Sequence, residues 1–344
     1  MKKTRVAING FGRIGRAFLK VAWDRSEIEI VAINDLGDVA NMAYLLKYDT
    51  AYGKWKHNDI KHEEGYLIID GKKIKFIAEK DPAKLPWKDL DIDVVVEATG
   101  IFVTYAGAKV HLDAGAKKVV VTAPMKDEPA GGLQGATILM GVNEDKLAGC
   151  SITSNASCTT NASSPLMAIL DEKIGIEKAL LNTTHALTNS QPTVDSINKH
   201  NVREGRAGGH NIVPTSTGAA IAVTKALPKL AQLFDGISLR VPMITGSMVD
   251  ITFISKRNTT REEVNEILKE AARDPRWEEI FDVTEDPLVS SDIIGDRHAS
   301  IADLEMTRVV GGNLVKVLAW YDNEMGYTYT LVDHVIKTGQ DVTT

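Results

Sequence analysis

The first domain of this chain is decided by a stretch near its start, KTRVAINGFGRIGR at residues 3–16. Residues 3–9 predict a strand, the glycine-rich residues 10–15 follow the pattern G-x-G-x-x-G, and residues 16–23 predict a helix. A strand that leads through such a turn directly into a helix is typical of a dinucleotide-binding βαβ unit.

The next strand, predicted over residues 28–34, ends at Asp35. In such a unit Gly10 permits the tight turn, Gly12 lets the backbone approach a pyrophosphate, and Gly15 lets helix and strand pack closely. Asp35 would accept hydrogen bonds from an adenosine ribose and repel a 2′-phosphate, which favours NAD over NADP. The alternative is an ordinary βαβ glycine turn beside a surface aspartate.

More apolar runs follow, at residues 93–97, 118–122 and 137–141, and residues 105–114 predict a helix. Near-continuous apolar runs suit parallel strands that are buried on both faces. The predicted fold class is therefore α/β, with a Rossmann-type doubly wound parallel sheet domain over residues 1–157.

The pattern changes after residue 158, where longer β-rich segments appear at residues 179–188, 237–255 and 299–321. The second segment alternates apolar with polar residues, as strands of a half-exposed antiparallel sheet do. These segments predict a second, α+β domain with a mostly antiparallel sheet.

Helices are interspersed among these strands. One is predicted to begin at Thr259 or Thr260, since each is followed three residues later by a glutamate that offers a capping box. A last helix is predicted over about residues 325–337. We expect a catalytic domain over residues 158–323 and a C-terminal helical segment, 324–344, that completes the first domain.

The composition excludes several classes of protein. The chain has 344 residues, of which 40 are basic and 46 acidic, and a net charge of −6. It therefore lacks the excess of basic residues that is typical of nucleic-acid-binding proteins. No apolar run is long enough to span a membrane, and the basic start runs through a short strand into Gly10, unlike a signal peptide. Two cysteines make no disulfide framework, so we expect a reducing, cytoplasmic setting.

The residues with the clearest chemical meaning read SNASCTTN, at 154–161. They follow a strand-like run and deliver Cys158 to the predicted first turn of a helix, where the unpaired N–H groups would lower the pKa of the thiol. A reactive thiol and a nicotinamide suggest oxidation of an aldehyde through a thioester. The alternative is an inert buried cysteine, a description that suits Cys150 better. Pro165 would kink this helix or mark its true first turn.

A thiolate needs a base or a cation beside it, and His185 is a candidate because polar residues flank it. Taken alone, His185 is more often a hydrogen-bonded structural histidine, and the sequence does not place it beside Cys158. The hydroxyl residues before Gly218 indicate an anion-binding helix start. The polar segment 189–210 is long for a loop inside a compact domain, and such loops are usually functional.

These motifs together resemble the phosphorylating glyceraldehyde-3-phosphate dehydrogenases along nearly the whole chain. The matching stretches are INGFGRIGR (8–16), SNASCTTN (154–161), THALTNSQ (184–191), NIVPTSTGAA (211–220) and WYDNEMGY (320–327).

The resemblance implies that Cys158 attacks the aldehyde of glyceraldehyde 3-phosphate, that His185 is the base, and that inorganic phosphate releases 1,3-bisphosphoglycerate from a thioester. For the two anions it implies the following residues: Ser157, Thr159, Thr188, Arg206, Thr217, Gly218 and Arg240. Thr188 and Arg240 would hold the substrate phosphate. Thr159, Thr217, Gly218 and Arg206 would hold the attacking phosphate.

For NAD the resemblance adds further residues to the glycines and Asp35: Arg13, Ile14, Lys80, Thr122 and Asn323. Arg13 and Ile14 would touch the pyrophosphate and adenosine, and Asn323 the nicotinamide carboxamide. The resemblance also implies a homotetramer, with the loop 189–210 at subunit contacts.

The chain departs from the usual family pattern at a few positions. Ala162-Ser-Ser-Pro165 stands where Cys-Leu-Ala-Pro is usual, Ile221 where lysine is common, and Met325 where tryptophan is usual. Ile197 occupies a position often filled by proline in NAD-preferring members, although Asp35 still favours NAD.

Three other functions remain open at this point. An erythrose-4-phosphate dehydrogenase would share most of the motifs and use water in place of phosphate. A nucleotide-binding regulatory protein would not need Cys158, His185, Arg240 and Asn323 together. A metal-dependent dehydrogenase would need a Cys/His cluster at ligand spacing, which the sequence lacks.

Overall fold

The computed structural model describes residues 2–199 and 201–343. The chain divides into two compact units: the residues up to Ala156 together with those from Thr328 onward, and Ser157–Tyr327. The domain limits expected from the sequence, 1–157 with 324–344 and 158–323, include residues 1 and 344, which lie outside the described residues. They stay a prediction.

The first unit opens with the βαβ elements that the glycine turn predicts. Its strands are β1 (Thr4–Asn9), β2 (Ile28–Asn34), β3 (Tyr48–Asp49), β4 (Gly53–Lys54), β5 (Ile60–Glu63), β6 (Tyr66–Ile69), β7 (Lys72–Ile77), β8 (Val94–Glu97), β9 (Lys118–Val121), β10 (Gly135–Thr137) and β11 (Ile152–Ser154). Its helices are α1 (Arg13–Ala22), α2 (Val39–Lys47) and α3 (Tyr105–Asp113).

Its main sheet has the strand order β10-β11-β9-β8-β1-β2-β7-β6-β5. The strands from β10 to β7 run parallel, whereas β6 and β5 add antiparallel hairpins. The chain passes from β1 to β2 on one side and later reaches β8 on the other side of β1. The strand order therefore reverses between β1 and β8, and an open α/β sheet binds its ligand outside the carboxyl ends of the strands at such a point.

Two expectations for this unit need correction, and three strands were not expected. Helix α1 begins at Arg13, not at residue 16. A strand over residues 137–141 is wrong: β10 ends at Thr137, and the Asn143 side chain, which accepts from the Leu139 N–H and donates to the Thr137 carbonyl, holds the next residues in a turn. Strands β5 to β7 were not predicted, because lysine, glutamate and histidine interrupt β5 and β7 and the apolar run of β6 is only four residues long.

The second unit carries the other sheet. Its strands are β12 (Ile176–His185), β13 (Val213–Ser216), β14 (Phe234–Arg240), β15 (Ser247–Ser255), β16 (Phe281–Thr284), β17 (Ser300–Val310) and β18 (Leu314–Tyr321). Its helices are α4 (Cys158–Lys173), α5 (Ala219–Ala226) and α6 (Arg261–Ala272), and α7 (Met325–Thr343) closes the chain.

The strand order of this sheet is β13-β14-β12-β15-β18-β17-β16. Most pairs are antiparallel, while β12 with β14 and β16 with β17 are parallel. Segment 237–255 holds the end of β14 and all of β15, and segment 299–321 holds β17 and β18. Gly246 (φ +90°) lies in the first break, and Gly311 and Gly312, both with positive φ, form the second.

The helices of this unit start largely where the sequence predicts. Thr260 caps α6 by accepting a hydrogen bond from the Glu263 N–H at 3.2 Å. Helix α4 starts at Cys158 and continues through Pro165, so the proline lies inside the helix and not in its first turn. Among residues 2–199 and 201–343, no helix is long and apolar enough to cross a membrane.

Candidate active site

Cys158 is the first residue of α4, as the sequence predicts. The residue before it, Ser157, caps the helix by accepting a hydrogen bond from the Thr160 N–H at 3.1 Å. Ala156 has a φ of 54°, a left-handed conformation that is unfavourable for a residue with a side chain. The chain therefore makes a sharp, constrained turn immediately before it presents the thiol.

The Cys158 Sγ lies 3.3 Å from Nε2 of His185. His185 is the last residue of β12, and the parallel register of β12 with β14 places Arg240 directly beside it. Nη1 of Arg240 lies 2.5 Å from Nδ1 of His185. The structure thus brings together a thiol, an imidazole and a guanidinium that come from three different elements.

The pKa values of this cluster follow from burial. Burial raises the pKa of the Cys158 thiol, and the charge of Arg240 and hydrogen bonds at the helix start oppose this only in part. Burial and the charge of Arg240 lower the pKa of His185 to about 3. The expectation of a lowered thiol pKa, argued from the helix start alone, is therefore wrong, because it left out desolvation. At neutral pH the thiol keeps its proton and the His185 ring is neutral.

Tyr321 is a member of this cluster that sequence reasoning missed. Its hydroxyl lies 2.8 Å from Oγ1 of Thr159 and 2.9 Å from Oγ1 of Thr183, and its ring packs edge-on against His185. These contacts tie the first turn of α4 to β12 and so fix the distance between Cys158 and His185. The signal in the sequence that could have identified Tyr321 is its place inside the stretch WYDNEMGY (320–327).

Arg240 has an unusual hydrogen-bonding state. Its Nε is buried and has no hydrogen-bond partner among the described residues. A buried N–H of a charged group without a partner is costly, so such a donor indicates a place for an oxygen that the protein itself does not supply. A phosphate oxygen suits a guanidinium in both charge and geometry.

The other predicted anion ligands lie in the same unit. Thr188 is exposed three residues beyond His185, and its hydroxyl contacts Ser190 and Gln191. Thr217 and Gly218 precede α5, whose N-terminus has no side-chain cap on Gly218. Arg206 is exposed and pairs with Asp195 at 2.9 Å. No described hydrogen bond or ion pair links Arg206 to Cys158, His185 or Arg240.

The glycine turn of the first unit fits a dinucleotide. Gly10 has a φ of +94°, and a side chain on Gly15 would lie 2.1 Å from the Gly10 carbonyl oxygen. A side chain on Gly12 would meet nothing within 4 Å, so open space adjoins the backbone where a pyrophosphate would approach. Gly12 caps α1 without a side-chain hydrogen bond, which leaves N–H groups at the helix start for an anion.

The remaining predicted cofactor residues share one edge of this sheet. Asp35 follows β2, Lys80 follows β7, Thr122 follows β9, and Arg13 and Ile14 open α1 after β1. Asp35 also accepts hydrogen bonds from the Phe11 N–H at 2.6 Å and the Gly37 N–H at 2.8 Å, so it holds the glycine turn in place. Each carboxylate oxygen keeps a further lone pair for a ribose hydroxyl.

Asn323 belongs to the second unit and is buried. Its Oδ1 accepts hydrogen bonds from the hydroxyls of Thr245 and Ser247 and from the Gly246 N–H. These three hydrogen bonds fix the orientation of the side-chain amide. Its Nδ2 is then left as a donor for another acceptor.

A chain that combines a Rossmann-type sheet with a thiol–imidazole pair and a neighbouring guanidinium fits a class of protein: the NAD-linked dehydrogenases that oxidise aldehydes. The comparisons agree with this class. Residues 4–105 match the family described as "Glyceraldehyde 3-phosphate dehydrogenase, NAD binding domain", and residues 157–323 match "Glyceraldehyde 3-phosphate dehydrogenase, C-terminal domain".

Curated relatives carry the same name. The glyceraldehyde-3-phosphate dehydrogenase of Streptomyces coelicolor is 47% identical over 341 residues, 98% of this chain and 99% of the relative. Those of Eremothecium gossypii and Borreliella burgdorferi are each 46% identical over 96% of this chain and 98% of the relative. The chain belongs to the glyceraldehyde-3-phosphate dehydrogenase family. It is an NAD-dependent oxidoreductase of that family.

Proposed function

We propose that this chain carries out the phosphorylating oxidation of D-glyceraldehyde 3-phosphate to 1,3-bisphosphoglycerate, with Cys158 as nucleophile and His185 as base. The observation that carries the proposal is the 3.3 Å approach of the Cys158 Sγ to Nε2 of His185. A thiol with a raised pKa needs a neutral base within hydrogen-bond reach, and His185 is such a base.

His185 takes part in the proton transfer of each step. Sγ of Cys158 bonds to the aldehyde carbon while its proton passes through Nε2 of His185 to the carbonyl oxygen, which gives a hemithioacetal. His185 then takes the hydroxyl proton as the carbon is oxidised to a thioester. NAD, when bound, supplies the acceptor for the hydride that leaves this carbon. A phosphate oxygen attacks the thioester carbon, the C–S bond breaks, and Cys158 recovers its proton from His185.

Two kinds of donor hold the negative charges. The N–H groups at the start of α4 face the sulfur and would stabilise an oxyanion on the adjoining carbon. Arg240, with its unpartnered Nε, and Thr188 hold the substrate phosphate. Thr159, Thr217 and Gly218, with Ser157 and Arg206, serve the attacking phosphate.

Substrate binding would also set the tautomer of His185. Nδ1 lies 2.7 Å from the Ala186 carbonyl and 2.5 Å from Nη1 of Arg240, but one nitrogen cannot donate to the first and accept from the second. When a substrate phosphate draws Arg240 away, Nδ1 donates to Ala186, and Nε2 becomes the acceptor that the reaction needs.

For the cofactor, we propose that Gly10, Gly12, Arg13, Ile14 and Gly15 receive the pyrophosphate and adenosine. Asp35 accepts from the ribose hydroxyls, while Lys80 and Thr122 line the site. Asn323 donates its Nδ2 to the nicotinamide carboxamide. The open space at Gly12 supports the first part, and the engaged Oδ1 of Asn323 supports the last.

The test follows NADH absorbance with glyceraldehyde 3-phosphate and NAD, with and without inorganic phosphate, and with NADP in place of NAD. We expect sustained turnover only with phosphate and a strong preference for NAD. Phosphate-independent turnover, faster on erythrose 4-phosphate, would favour the alternative dehydrogenase. Cys158→Ser should abolish turnover, and Cys150→Ser, a matched thiol control, should retain it. If the chain folds and binds NAD but shows no turnover, the result would favour the alternative of a regulatory nucleotide-binding protein.

We also propose that the chain forms a homotetramer. Along β12 and β14 the inward side chains are buried, whereas Leu180 and Ile237 are 67% and 53% exposed on the outer face. A shallow cavity of about 500 Å³ on this face is lined by residues that include Leu180, Leu233 and Leu314. An apolar sheet face of this kind suits a second copy of the chain.

Analytical ultracentrifugation tests the assembly. We expect a tetramer for the wild type and smaller species for Leu180→Asp, with Tyr66→Asp, on the first unit, as the control. A monomeric wild type would contradict the proposal. The free thiols of Cys150 and Cys158 suit a reducing compartment, and we propose that this is the cytoplasm, which cell fractionation would test.

A further inference from the structure

The central strands of the first sheet end in an unusual pair of residues. Asn9 and Glu97 lie opposite each other at the carboxyl ends of β1 and β8. The strand order reverses between these two strands, and ligands of open α/β sheets bind outside such a point. The pair therefore lies directly beneath the place where the sheet binds its dinucleotide.

The Glu97 carboxylate is 1% exposed, and all its partners are donors. Oε1 accepts from the N–H and the hydroxyl of Thr99, and Oε2 accepts from Nδ2 of Asn9 at 2.6 Å and from Nε2 of His111 at 3.0 Å. Four hydrogen bonds stabilise an ionised carboxylate, whereas a protonated one would have to donate from an oxygen that already accepts.

His111 does not neutralise this charge. Nε1 of Trp87 donates to Nδ1 of His111 at 3.1 Å, and an indole nitrogen can only donate. Nδ1 is therefore the unprotonated nitrogen, and Nε2 carries the proton that is donated to Glu97. The ring is neutral. Among the described residues, no lysine or arginine lies within ion-pair distance of Glu97.

We propose that Glu97 is a specificity-determining residue that distinguishes the two redox states of the cofactor. The oxidised nicotinamide ring is cationic and the reduced ring is neutral, while the pyrophosphate, riboses and adenine are the same in both. A buried, uncompensated negative charge beneath the crevice favours the oxidised form, and its repulsion of the pyrophosphate cancels in the ratio of the two affinities. The inference rests on dinucleotide binding by this unit and not on the proposed chemistry at Cys158.

Calorimetric titration of the full-length Cys158→Ser protein with NAD, NADH and ADP-ribose tests the proposal apart from catalysis. We expect Glu97→Gln to lower the preference for NAD over NADH by about 3- to 10-fold. The matched control is Asp93→Asn, since Asp93 is also buried in this region but lies at the opposite, amino end of β8, beside Lys117. That variant should keep the wild-type ratio.

A second variant keeps the test open if Glu97→Gln fails to fold. The double variant Glu97→Leu with His111→Leu removes the charge together with the buried donor beside it, and replacing both partners by apolar side chains costs less than leaving one unpaired. It should lower the preference for NAD over NADH by about the same factor as Glu97→Gln. The proposal is overturned if the ratio is unchanged in a folded variant, or if NAD, NADH and ADP-ribose affinities all change by the same factor.

Discussion

Arg240 lies with Nη1 2.5 Å from Nδ1 of His185, so the residue proposed to hold the substrate phosphate contacts the proposed base directly. The parallel register of β14 with β12 produces this contact, because it sets the two residues opposite each other. Substrate binding and base activation are thereby coupled through one guanidinium.

This coupling predicts the effect of removing the guanidinium. Arg240→Ala should lower kcat/KM for glyceraldehyde 3-phosphate by about 10- to 100-fold, the value of a charge-assisted hydrogen bond. Turnover of unphosphorylated glyceraldehyde, which cannot use Arg240, should fall much less. Steady-state kinetics on both aldehydes check this, with Arg257→Ala as the control, since Arg257 pairs with Glu263 and has no proposed role in the site. An equal loss on both substrates would show that Arg240 acts only structurally.

Removal of the base is predicted to separate binding from chemistry. His185→Gln should lower kcat by about 10²- to 10⁴-fold, as the loss of a general base does, with little change in NAD affinity. Stopped-flow NADH formation and NAD titration measure the two effects. A variant with full kcat would exclude His185 as the base.

The reactivity of the thiols is also predicted. Because burial raises the pKa of Cys158, inactivation by iodoacetamide should speed up steadily toward alkaline pH. Arg240→Ala should slow it at pH 8, since the positive charge that favours the thiolate is lost. Mass spectrometry should find the label on Cys158 well before Cys150, whose thiol is buried and also has a raised pKa. A rate independent of pH would contradict this.

Stability should fall in mild acid. Burial lowers the pKa of both His185 and His334 to about 3, so the unfolded chain binds more protons than the folded one below the ordinary histidine value. Stability is therefore complete above about pH 6.5 and falls toward pH 3, by up to about 1.4 kcal/mol per pH unit for each group. Urea unfolding at several pH values measures the slope. His185→Gln should reduce it, and His210→Gln, at an exposed site, should not.

Local signals predicted the glycine turn and the start of α4 well. Gly10 and Gly15 occupy positions whose conformation and space are set by a few neighbouring residues, and the structure shows both requirements, while Cys158 opens α4. The pairing of Cys158 with His185 depends instead on the register of β12, which no local pattern encodes. The resemblance to a known family, and not the spacing, predicted it.

The direction of the Cys158 pKa shift and the hydrogen bonds of Glu97 were not predicted correctly, for a related reason. The pKa of Cys158 follows from how much water the whole fold removes, so a helix start alone gave the wrong direction. Glu97 and His111 read as members of an ordinary strand and helix. Their network joins β1, β8 and α3 across a sequence separation of 102 residues, and only the assembled sheet reveals it.

Helix α7 is the last element made and yet it completes the first unit. His334 on this helix lies 2.8 Å from Oγ1 of Thr153 and 3.1 Å from Oδ1 of Asn155, beside the sheet formed much earlier in the sequence. As the chain leaves the ribosome, the cofactor-binding half must therefore wait, with part of its interior uncovered, until translation has passed through the entire catalytic half. Chaperone dependence and aggregation of C-terminally truncated chains would follow directly from this order of synthesis.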